Sequence, residues 1–190
     1  MKIIDYKQPD FYHFSEDSIL FTKKVSTLFK TAHSNVLEIC AGCGIIGSEL
    51  SNLIEINKMT FIELQSEFEE SLDSNLKNFC KAKSAKYIIG NFLDLNISET
   101  FDMIVFNPPF FELKEGRLPP DSRKQHCHFI KQMDFDLMLN KAFDLLNSSG
   151  IIYLLMRADS SLLKNTKLKF TLEMIEHFDS KNGVFRIVKN

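Results

Sequence analysis

A tetrapeptide with two consecutive prolines, Asn107-Pro108-Pro109-Phe110, directly follows the apolar run FDMIVF of residues 101–106. The run is rich in β-branched and aromatic residues, which predicts a buried strand. Because proline has no backbone N–H, hydrogen bonding to a neighbouring strand ends here. An amide side chain, a free carbonyl and an aromatic ring remain at the strand's carboxyl end, and together they suit a planar group that carries an amine. The simpler alternative is a turn that happens to contain two prolines.

Three glycines follow the first predicted strand, which covers residues 36–40. Gly42, Gly44 and Gly47 lie where this strand turns into a helix, and glycine there lets the backbone approach a ligand closely. Their spacing also matches a dinucleotide site. Glu38 argues against a dinucleotide, because its charge at the end of the strand would repel a pyrophosphate and attract a cation. The Asn-Pro-Pro-Phe motif also has no role in hydride transfer.

Acidic residues also follow the next two predicted strands. Glu63 ends the strand at 59–64, about 20 residues after the glycine turn, where an acid is placed to accept hydrogen bonds from ribose hydroxyls. Asp94 follows the strand at 86–90 and is placed to accept from an adenine amino group, with Phe92 beside the ring. Three successive strands that each end in a suitable group predict a nucleoside site at one sheet edge.

Apolar runs alternate with amphipathic stretches, which indicates βαβ units, a mostly parallel sheet of seven strands and helices on both of its faces. The predicted helices are 17–32, 45–53, 66–79 and 131–146, with Ser15 and Ser66 as caps, Glu69 in a capping box and Asn147-Ser148-Ser149-Gly150 ending the last helix. The predicted strands are 36–40, 59–64, 86–90, 101–106, 151–156 and an antiparallel pair in 167–178 and 183–190 around Lys181-Asn182-Gly183. Residues 111–130 are predicted to form a long polar loop.

The composition is that of an ordinary globular protein of 190 residues, with 44% hydrophobic and 25% charged residues. This length predicts one domain, with residues 1–33 as an N-terminal cap segment and helix and residues 34–190 as the core. A net charge of −2 provides no global basic field, although a local basic patch would suffice for nucleic acid. Without a bilayer-length apolar stretch or a signal peptide pattern, we expect a cytoplasmic protein with no membrane partner, and we favour a monomer.

The four cysteines do not predict a disulfide framework in a chain of this length, and we expect reduced thiols. Cys40 and Cys43 form a C-x-x-C pair, a spacing that can hold a metal or a redox pair. Both lie in the glycine turn, where we expect their side chains to pack against the core. We therefore predict no metal.

Taken together, these residues resemble the class I S-adenosylmethionine-dependent methyltransferases, whose motif is an acid followed by alternating glycines. Glu38, Cys40, Gly42 and Gly44 match it, with Cys40 where the family usually has its first glycine. The tetrapeptide resembles that of amino-methyltransferases, which methylate exocyclic amines or amides. The resemblance covers roughly residues 34–156 and implies a Rossmann-like fold with S-adenosylmethionine as cofactor.

A second resemblance extends beyond this core. The segment Phe14-Ser15-Glu16-Asp17-Ser18-Ile19-Leu20-Phe21, preceded by Gln8, is similar to the N-terminal motif of the bacterial tRNA1(Val) (adenine-N6)-methyltransferase family. The basic stretch Arg123-Lys124-Gln125-His126-Cys127-His128 follows the Asn-Pro-Pro motif as it does in that family. The resemblance implies an RNA partner, tRNA in particular, and an exocyclic amine, N6 of adenine, as methyl acceptor.

The predicted site residues follow from the strand ends and from these resemblances. Those assigned to the cofactor are Glu38, Cys40, Ala41, Gly42, Gly44, Glu63, Leu64, Asn91, Phe92, Asp94, Asn107 and Asp17, which would close the pocket. The catalytic group is Asn107, Pro108, Pro109 and Phe110, in which the Asn107 oxygen and the Pro108 carbonyl accept the two N–H bonds of the amine and Phe110 stacks on the base. The substrate residues are Phe110, Arg123 and His128, with Lys124 and Lys131 as further phosphate contacts. A solvated charged loop is the alternative interpretation of these basic residues.

Other functions fit parts of the same pattern. Guanine N2 in ribosomal RNA and a protein glutamine amide are alternative acceptors with the same local geometry. From other classes, the chain matches a nicotinamide-dependent oxidoreductase or an inactive RNA-binding module. Intact Asn107, Glu63 and Asp94 argue against the inactive module.

Overall fold

Helices and strands alternate along most of the chain in the computed structural model, which describes residues 5–29, 34–114, 117–177 and 181–189. The helices are α1 (Glu16–Leu28), α2 (Ile45–Leu53), α3 (Glu69–Phe79), α4 (Ser122–His128), α5 (Gln132–Asp144) and α6 (Ser161–Asn165). The strands are β1 (Ser34–Ile39), β2 (Ile56–Glu63), β3 (Ser84–Ile89), β4 (Phe101–Phe106), β5 (Phe111–Glu112), β6 (Phe129–Ile130), β7 (Leu146–Arg157), β8 (Glu173–His177) and β9 (Asn182–Val188). None of the described helices combines the length and hydropathy needed to cross a bilayer.

Seven strands form one sheet in the order β3-β2-β1-β4-β7-β9-β8. The first five are parallel, whereas β9 runs antiparallel to both β7 and β8. The predicted mostly parallel seven-stranded sheet with a C-terminal antiparallel pair is confirmed. Chain order reverses at β1, which lies between β2 and β4, and Ile39 pairs with both Ile62 and Phe106. The carboxyl ends of these strands are therefore adjacent, at the point where open α/β sheets bind ligands.

Two hydrophobic clusters cover opposite faces of this sheet. On one face Leu37 and Ile104 pack with Phe135 of α5, and on the other Val36 packs with Phe21 of α1. Successive residues of a strand point to opposite faces, so β1 and β4 need apolar side chains on both sides. This double burial explains their continuous apolar runs and confirms that helices lie on both faces.

The prediction of a long loop over residues 111–130 is wrong. This segment contains the two short strands β5 and β6, which pair with each other, and the helix α4 between them. The Asp121 side chain starts α4 by accepting a hydrogen bond from the Arg123 N–H at 2.9 Å. No residue of α4 is buried, so the helix leaves no apolar periodicity in the sequence.

The predicted end of the fourth helix at Asn147-Ser148-Ser149-Gly150 is also wrong, because β7 begins at Leu146 and includes these residues. The Asn147 amide donates to Asp102 Oδ1 at 2.5 Å, and the other oxygen of Asp102 accepts from the Asn35 N–H at 2.8 Å. These bonds join the beginnings of β7, β4 and β1. Pairing with neighbouring strands therefore outweighs the turn preference of the sequence.

The predicted helix caps are not formed. Ser15 precedes α1 but makes no side-chain capping bond, and Ser66 lies in a 3-10 turn, Ser66–Phe68, before α3 begins at Glu69. The first helix ends at Leu28 rather than at residue 32, and residues 30–33 lie outside the described part of the chain. The closing antiparallel pair is confirmed, although β9 already begins at Asn182 and residues 178–180 of the connection are not described.

We expect a methyl group at Gly47 to destabilise the fold. A Cβ built on Gly47, in the first turns of α2, would clash with Met59 Cε and lie 2.6 Å from Glu38 Oε2. Gly47→Ala should lower the free energy of unfolding by about 1–3 kcal/mol, as in an overpacked core. Gly90→Ala is the matched control, because its nearest neighbour would be Leu95 Cδ2 at an ordinary 3.6 Å. Urea denaturation measures both variants, and equal losses would contradict the packing argument.

Candidate active site

A cavity of about 380 Å³ opens at the carboxyl ends of β1, β2, β3 and β4. The predicted site residues that line it are Glu38, Cys40, Ala41, Gly42, Glu63, Leu64, Asn91, Phe92, Asn107, Pro109 and Lys131. The strand ends thus bring together the glycine turn, the two acids of β1 and β2, and the Asn-Pro-Pro motif. The roles of these residues in binding stay predictions.

The glycine turn carries three residues with left-handed backbone conformations. Cys40 has φ 58°, Gly42 has φ 52° and Gly44 has φ 73°. This conformation costs a residue with a Cβ roughly 1 kcal/mol, which explains why glycine is usual at the position of Cys40. The Cys40 side chain packs against the core, and burial raises the pKa of its thiol, so that it is a neutral, apolar group there. Gly44 does not line the cavity; a Cβ on it would lie 2.6 Å from Leu72 of α3.

Glu38 lies beneath the turn with only 1% of its surface exposed. Its Oε2 accepts a hydrogen bond from the Gly47 N–H at 2.7 Å, which holds the first turn of α2 against β1. Desolvation raises the pKa of Glu38 from 4.5 to about 8, and the bond from Gly47 opposes this increase. A buried acid next to a cavity favours a positively charged ligand, because a cation stabilises its ionised form.

Glu63 at the end of β2 already supports the backbone. Its Oε2 accepts from the Gly42 N–H at 2.7 Å and its Oε1 from the Gln65 N–H at 2.9 Å. Burial raises the pKa of Glu63, and these backbone donors oppose the increase. Each carboxylate oxygen has a second lone pair, so the predicted bonds to ribose hydroxyls remain compatible with this arrangement.

The loop after β3 is shaped by its own side chains. Asn91 Oδ1 accepts from the Leu93 N–H at 3.1 Å, and Asn91 Nδ2 donates to Asp94 Oδ2 at 2.9 Å. Asp94 is exposed and does not line the cavity, whereas Asn91 does. The predicted contact of Asp94 with an adenine amino group stays a prediction, and Asp94 supports the loop in the present structure.

Lys141 of α5 fixes the same loop from behind. Its Nζ donates to the carbonyls of Phe92, Leu93 and Leu95 at 2.7, 3.0 and 2.6 Å. It also lies 5.0 Å from the centre of the Phe92 ring. Because Phe92 and Leu93 line the cavity, Lys141 positions one wall without touching the cavity itself.

The N-terminal segment covers the cavity with Tyr12, Phe14 and Ser18. Gln8 fixes its course, since Gln8 Oε1 accepts from the Phe14 N–H at 2.8 Å. Tyr12 packs edge-on against Phe68 with ring centres 5.6 Å apart, and burial raises the pKa of its phenol, which therefore keeps its proton. The predicted closing residue, Asp17, does not line the cavity.

Asp17 instead accepts a hydrogen bond from Asn182 Nδ2 of β9 at 3.1 Å. The same N-terminal segment is tied to α3, where Asn75 Nδ2 donates to the carbonyls of both Lys7 and Cys43 at 2.9 Å. One buried amide thus connects the cover of the cavity to the glycine turn.

Helix α4 forms another wall, through His126 and Cys127. Gln65 Nε2 donates to Cys127 Sγ at 3.4 Å, and Gln65 Oε1 is buried without a hydrogen-bond partner among the described residues. The predicted substrate residue His128 is exposed beside Tyr12, 6.4 Å between ring centres, and desolvation lowers its pKa. It does not line the cavity.

Arg123 makes contacts within the protein. It forms an ion pair with Asp121 at 2.8 Å and lies 4.6 Å from the centre of the Phe11 ring. The ion pair lowers the pKa of Asp121 to about 2. Arg123 would have to rearrange to contact a phosphate, so its substrate role stays a prediction.

Part of the tetrapeptide at residues 107–110 lines the cavity, and the rest packs in the core. Asn107 is half-buried on the cavity wall, and its amide makes no hydrogen bond within the described ranges of the chain. Pro109 also lines the cavity, whereas Pro108 is buried. Phe110 packs against both hydrophobic clusters, and its carbonyl accepts from Ser160 Oγ at 3.2 Å. Stacking of Phe110 on a base would need its ring to leave this packing.

Three cysteines, Cys40, Cys43 and Cys127, line the cavity. Burial raises the pKa of Cys43 to about 12 and that of Cys127 to about 11. Within the described residues, no group of three or more His, Cys, Asp or Glu side chains is arranged to hold a metal ion. These thiols therefore contribute packing and polarisable surface.

The sheet order and the glycine turn define a Rossmann-like methyltransferase fold. The sequence profile of the methyltransferase small domain family matches residues 14–189. The chain therefore belongs to the methyltransferase small domain family. The predicted relationship to methyltransferases is thus confirmed at the level of the family.

Relatives within this class act on different acceptors. The chain is 27% identical over 157 residues to a tRNA1(Val) (adenine(37)-N6)-methyltransferase from Shewanella putrefaciens, which covers 80% of this chain and 65% of the relative. It is 31% identical over 77 residues to ribosomal RNA small subunit methyltransferase C from Actinobacillus pleuropneumoniae, a match that covers 40% of this chain and 22% of the relative. It is 27% identical over 82 residues to a ribosomal protein uL3 glutamine methyltransferase from Francisella tularensis, a match that covers 43% of this chain and 26% of the relative. The chain thus spans less than two thirds of the length of each of these relatives.

Solved structures support the fold. A methyltransferase from Pyrococcus furiosus superimposes with a TM-score of 0.68 at 18% identity, covering 100% of this chain and 91% of that one. A 16S rRNA N2 G1207 methyltransferase from T. thermophilus, in complex with AdoMet and guanosine, also gives 0.68, at 20% identity over 94% of this chain and 44% of that one.

Among the residues of the site that were not predicted from the sequence, three stand out by their contacts. Tyr12 and Gln65 line the cavity, and Lys141 holds one of its walls. Gln65 lies two residues after Glu63, so its place at a strand end was the available signal. Tyr12 precedes the matched N-terminal motif, and Lys141 resembles any lysine on a helix.

We expect Glu38 to make stability depend on pH. Its pKa is about 8 in the folded chain against an ordinary value of 4.5, so between these values the folded chain keeps a proton that the unfolded chain releases. The stability that the folded chain gains from keeping this proton is therefore complete below pH 4.5 and is lost as pH rises through 8. Glu38→Gln, which still accepts from Gly47, should remove it. Urea denaturation at about pH 5 and about pH 8 measures the difference between wild type and variant, which should change with pH; a constant difference would contradict it.

We expect Lys141→Met to weaken cofactor binding roughly tenfold, because the loop that carries Phe92 and Leu93 loses its three hydrogen bonds. Lys189→Met is the matched control, since Lys189 Nζ likewise donates to several carbonyls, including Leu146 at 2.8 Å, but away from the cavity. Calorimetry with S-adenosylhomocysteine gives the affinities and thermal unfolding gives the stabilities. Equal losses of affinity in both variants would show that Lys141 acts through general stability alone.

Proposed function

We propose that this chain transfers a methyl group from S-adenosylmethionine to an exocyclic amine of a nucleobase in RNA, with N6 of adenine in tRNA as the acceptor. The observation that carries the proposal is the Asn107 amide, which lies on the cavity wall without a hydrogen-bond partner among the described residues. A polar side chain left free in this way is suited to a ligand, since a partly buried amide gains by pairing.

The cofactor would occupy the part of the cavity formed by the glycine turn and the ends of β2 and β3. When bound, S-adenosylmethionine supplies an electrophilic methyl group on a sulfonium. Glu38 and Glu63 make this region favourable for its positive charge. Glu63 would hold the ribose hydroxyls, and Leu64 and Phe92 would enclose the adenine.

The acceptor would lie against the Asn-Pro-Pro motif. An exocyclic nitrogen is a weak nucleophile because its lone pair is delocalised into the ring. The Asn107 oxygen and the Pro108 carbonyl would accept its two N–H bonds, direct the lone pair at the methyl and stabilise the positive charge that develops on nitrogen. The new N–C bond forms as the C–S bond breaks, and the nitrogen then loses a proton to solvent, so that no strong base is needed.

The lining of the cavity favours a flat base over a flexible amide. Tyr12, Phe14 and Phe129 place aromatic rings on its walls, which suits stacking on an extruded nucleobase. Among the relatives, the adenine-N6 enzymes match over the largest share of this chain. Guanine N2 is the second candidate, because a ribosomal RNA methyltransferase matches part of the chain and a 16S rRNA N2 G1207 methyltransferase shares its fold. The single-domain organisation, the monomeric state and a cytoplasmic location remain predictions.

Incubation with radiolabelled S-adenosylmethionine and total RNA, followed by nucleoside analysis, tests the acceptor. Labelled N6-methyladenosine is the expected product. Labelled N2-methylguanosine would overturn the choice of base, and label found only in protein would overturn the choice of RNA. Binding of NAD with no binding of S-adenosylmethionine would overturn the methyltransferase proposal itself.

We expect Asn107→Ala to abolish methyl transfer while cofactor affinity stays within a few fold, because the amide would bind the acceptor amine in the transition state. Asn96→Ala, at an exposed position in the loop before β4, is the control and should keep full activity. Calorimetry measures the cofactor affinity, and the transfer assay measures methyl transfer. A large loss of cofactor affinity would place Asn107 in the cofactor site instead.

A further inference from the structure

A second concave surface, of about 540 Å³, lies beside the candidate active site. We call it the lysine groove and define it by Lys114, Lys131, Lys167, Leu113, Met133 and Leu137. Its residues come from the segment after β5, from the first turns of α5 and from the loop after α6. The pairing of β5 with β6 thus places the segment after β5 next to the start of α5.

The lysine groove adjoins the active-site cavity, because Leu113 and Lys131 line both. A ligand whose reacting group lies near Asn107 would therefore extend its adjoining part into the groove.

The charges of the groove favour an anion. Within the described residues, neither Lys131 nor Lys167 forms an ion pair, while Lys114 lies 3.6 Å from Glu112. Asp136 also lines the groove, where its Oδ1 accepts from Gln132 at 3.0 Å and from Thr166 at 2.5 Å, so that three lysines face two carboxylates, Asp136 and Glu112. Two lysines therefore remain available to a partner on a chain of net charge −2.

The floor of the groove is apolar and open to solvent. Met133 has 70% and Leu137 has 44% of its surface exposed, although both belong to a helix whose other face is core. Large apolar side chains exposed beside free cations form a surface against which a base can pack while its phosphate contacts a lysine.

We propose that the lysine groove binds the nucleotides next to the target base in a single-stranded segment of RNA. This inference rests on the proposed function, since a groove beside the cavity can bind the neighbouring nucleotides only if a nucleobase enters the cavity. An acidic peptide would satisfy the lysines alone. RNA is favoured because it also uses the apolar floor and leads its own base into the aromatic cavity.

Two variants confined to the groove test its charged and apolar parts separately. Lys167→Glu should raise the Kd for RNA about tenfold and reduce the slope of log Kd against log salt by about 1, because a phosphate contact is lost. Met133→Ala should weaken binding several-fold with an unchanged salt slope, because the loss of an apolar contact releases no counterion. Lys81→Glu is the matched control, since Lys81 is an exposed lysine near the opposite edge of the sheet. All three should bind S-adenosylhomocysteine like the wild type.

The probe is a short fluorescent oligouridine that contains one adenosine, measured by anisotropy with S-adenosylhomocysteine present. The transfer assay with RNA is run in parallel and should show a raised KM with unchanged kcat for the groove variants. Wild-type affinity in both variants would overturn the groove, and the proposed function would stand if the wild type still methylates RNA. A wild type that methylates no RNA and binds an acidic peptide at the groove would overturn both.

Discussion

Two buried carboxylates hold the backbone of the glycine turn, and the rest of the candidate site depends on them. Glu38 accepts from the Gly47 N–H and fixes the start of α2, while Glu63 accepts from Gly42 and Gln65 and joins the turn to β2. Removing these acids from water raises the pKa of both, and the backbone donors offset only part of that cost. A cation in the cavity would offset the rest of the cost of removing these acids from water. The same bonds that shape the turn therefore prepare it for a positively charged cofactor.

Elements outside the sheet complete the cavity through a few side chains that each capture several backbone groups. Lys141 binds three carbonyls of the loop after β3, and Asn75 binds those of Lys7 and Cys43. Irregular segments have no ladder to satisfy their polar groups, so such side chains replace it. The position of the cavity walls thus depends on residues of α5 and α3 that do not themselves line it.

The central strands were predictable because they are buried on both faces, which makes their apolar runs continuous. The cavity residues at strand ends were predictable in turn, because parallel strands align their carboxyl ends at one edge of the sheet. Helix α4 was not, because it buries no residue, and the start of β7 was not, because Asn147-Ser148-Ser149-Gly150 has the composition of a turn. Lys141 contacts a loop more than 45 residues away along the chain, and no spacing in the sequence marks such a contact.

Opposite charges in neighbouring spaces explain why the net charge of this chain says little about its partner. The cavity beneath the turn contains buried acids and favours a cation, whereas the adjoining groove presents lysines and favours an anion. A methyl transfer to RNA needs both, because a cationic sulfonium donor and the anionic backbone of the acceptor RNA meet within one site. Leu113 and Lys131 lie where the two spaces join. Because salt screens charges that are more than about 8 Å apart at physiological ionic strength, a net charge of −2 is compatible with an RNA substrate at a local group of lysines.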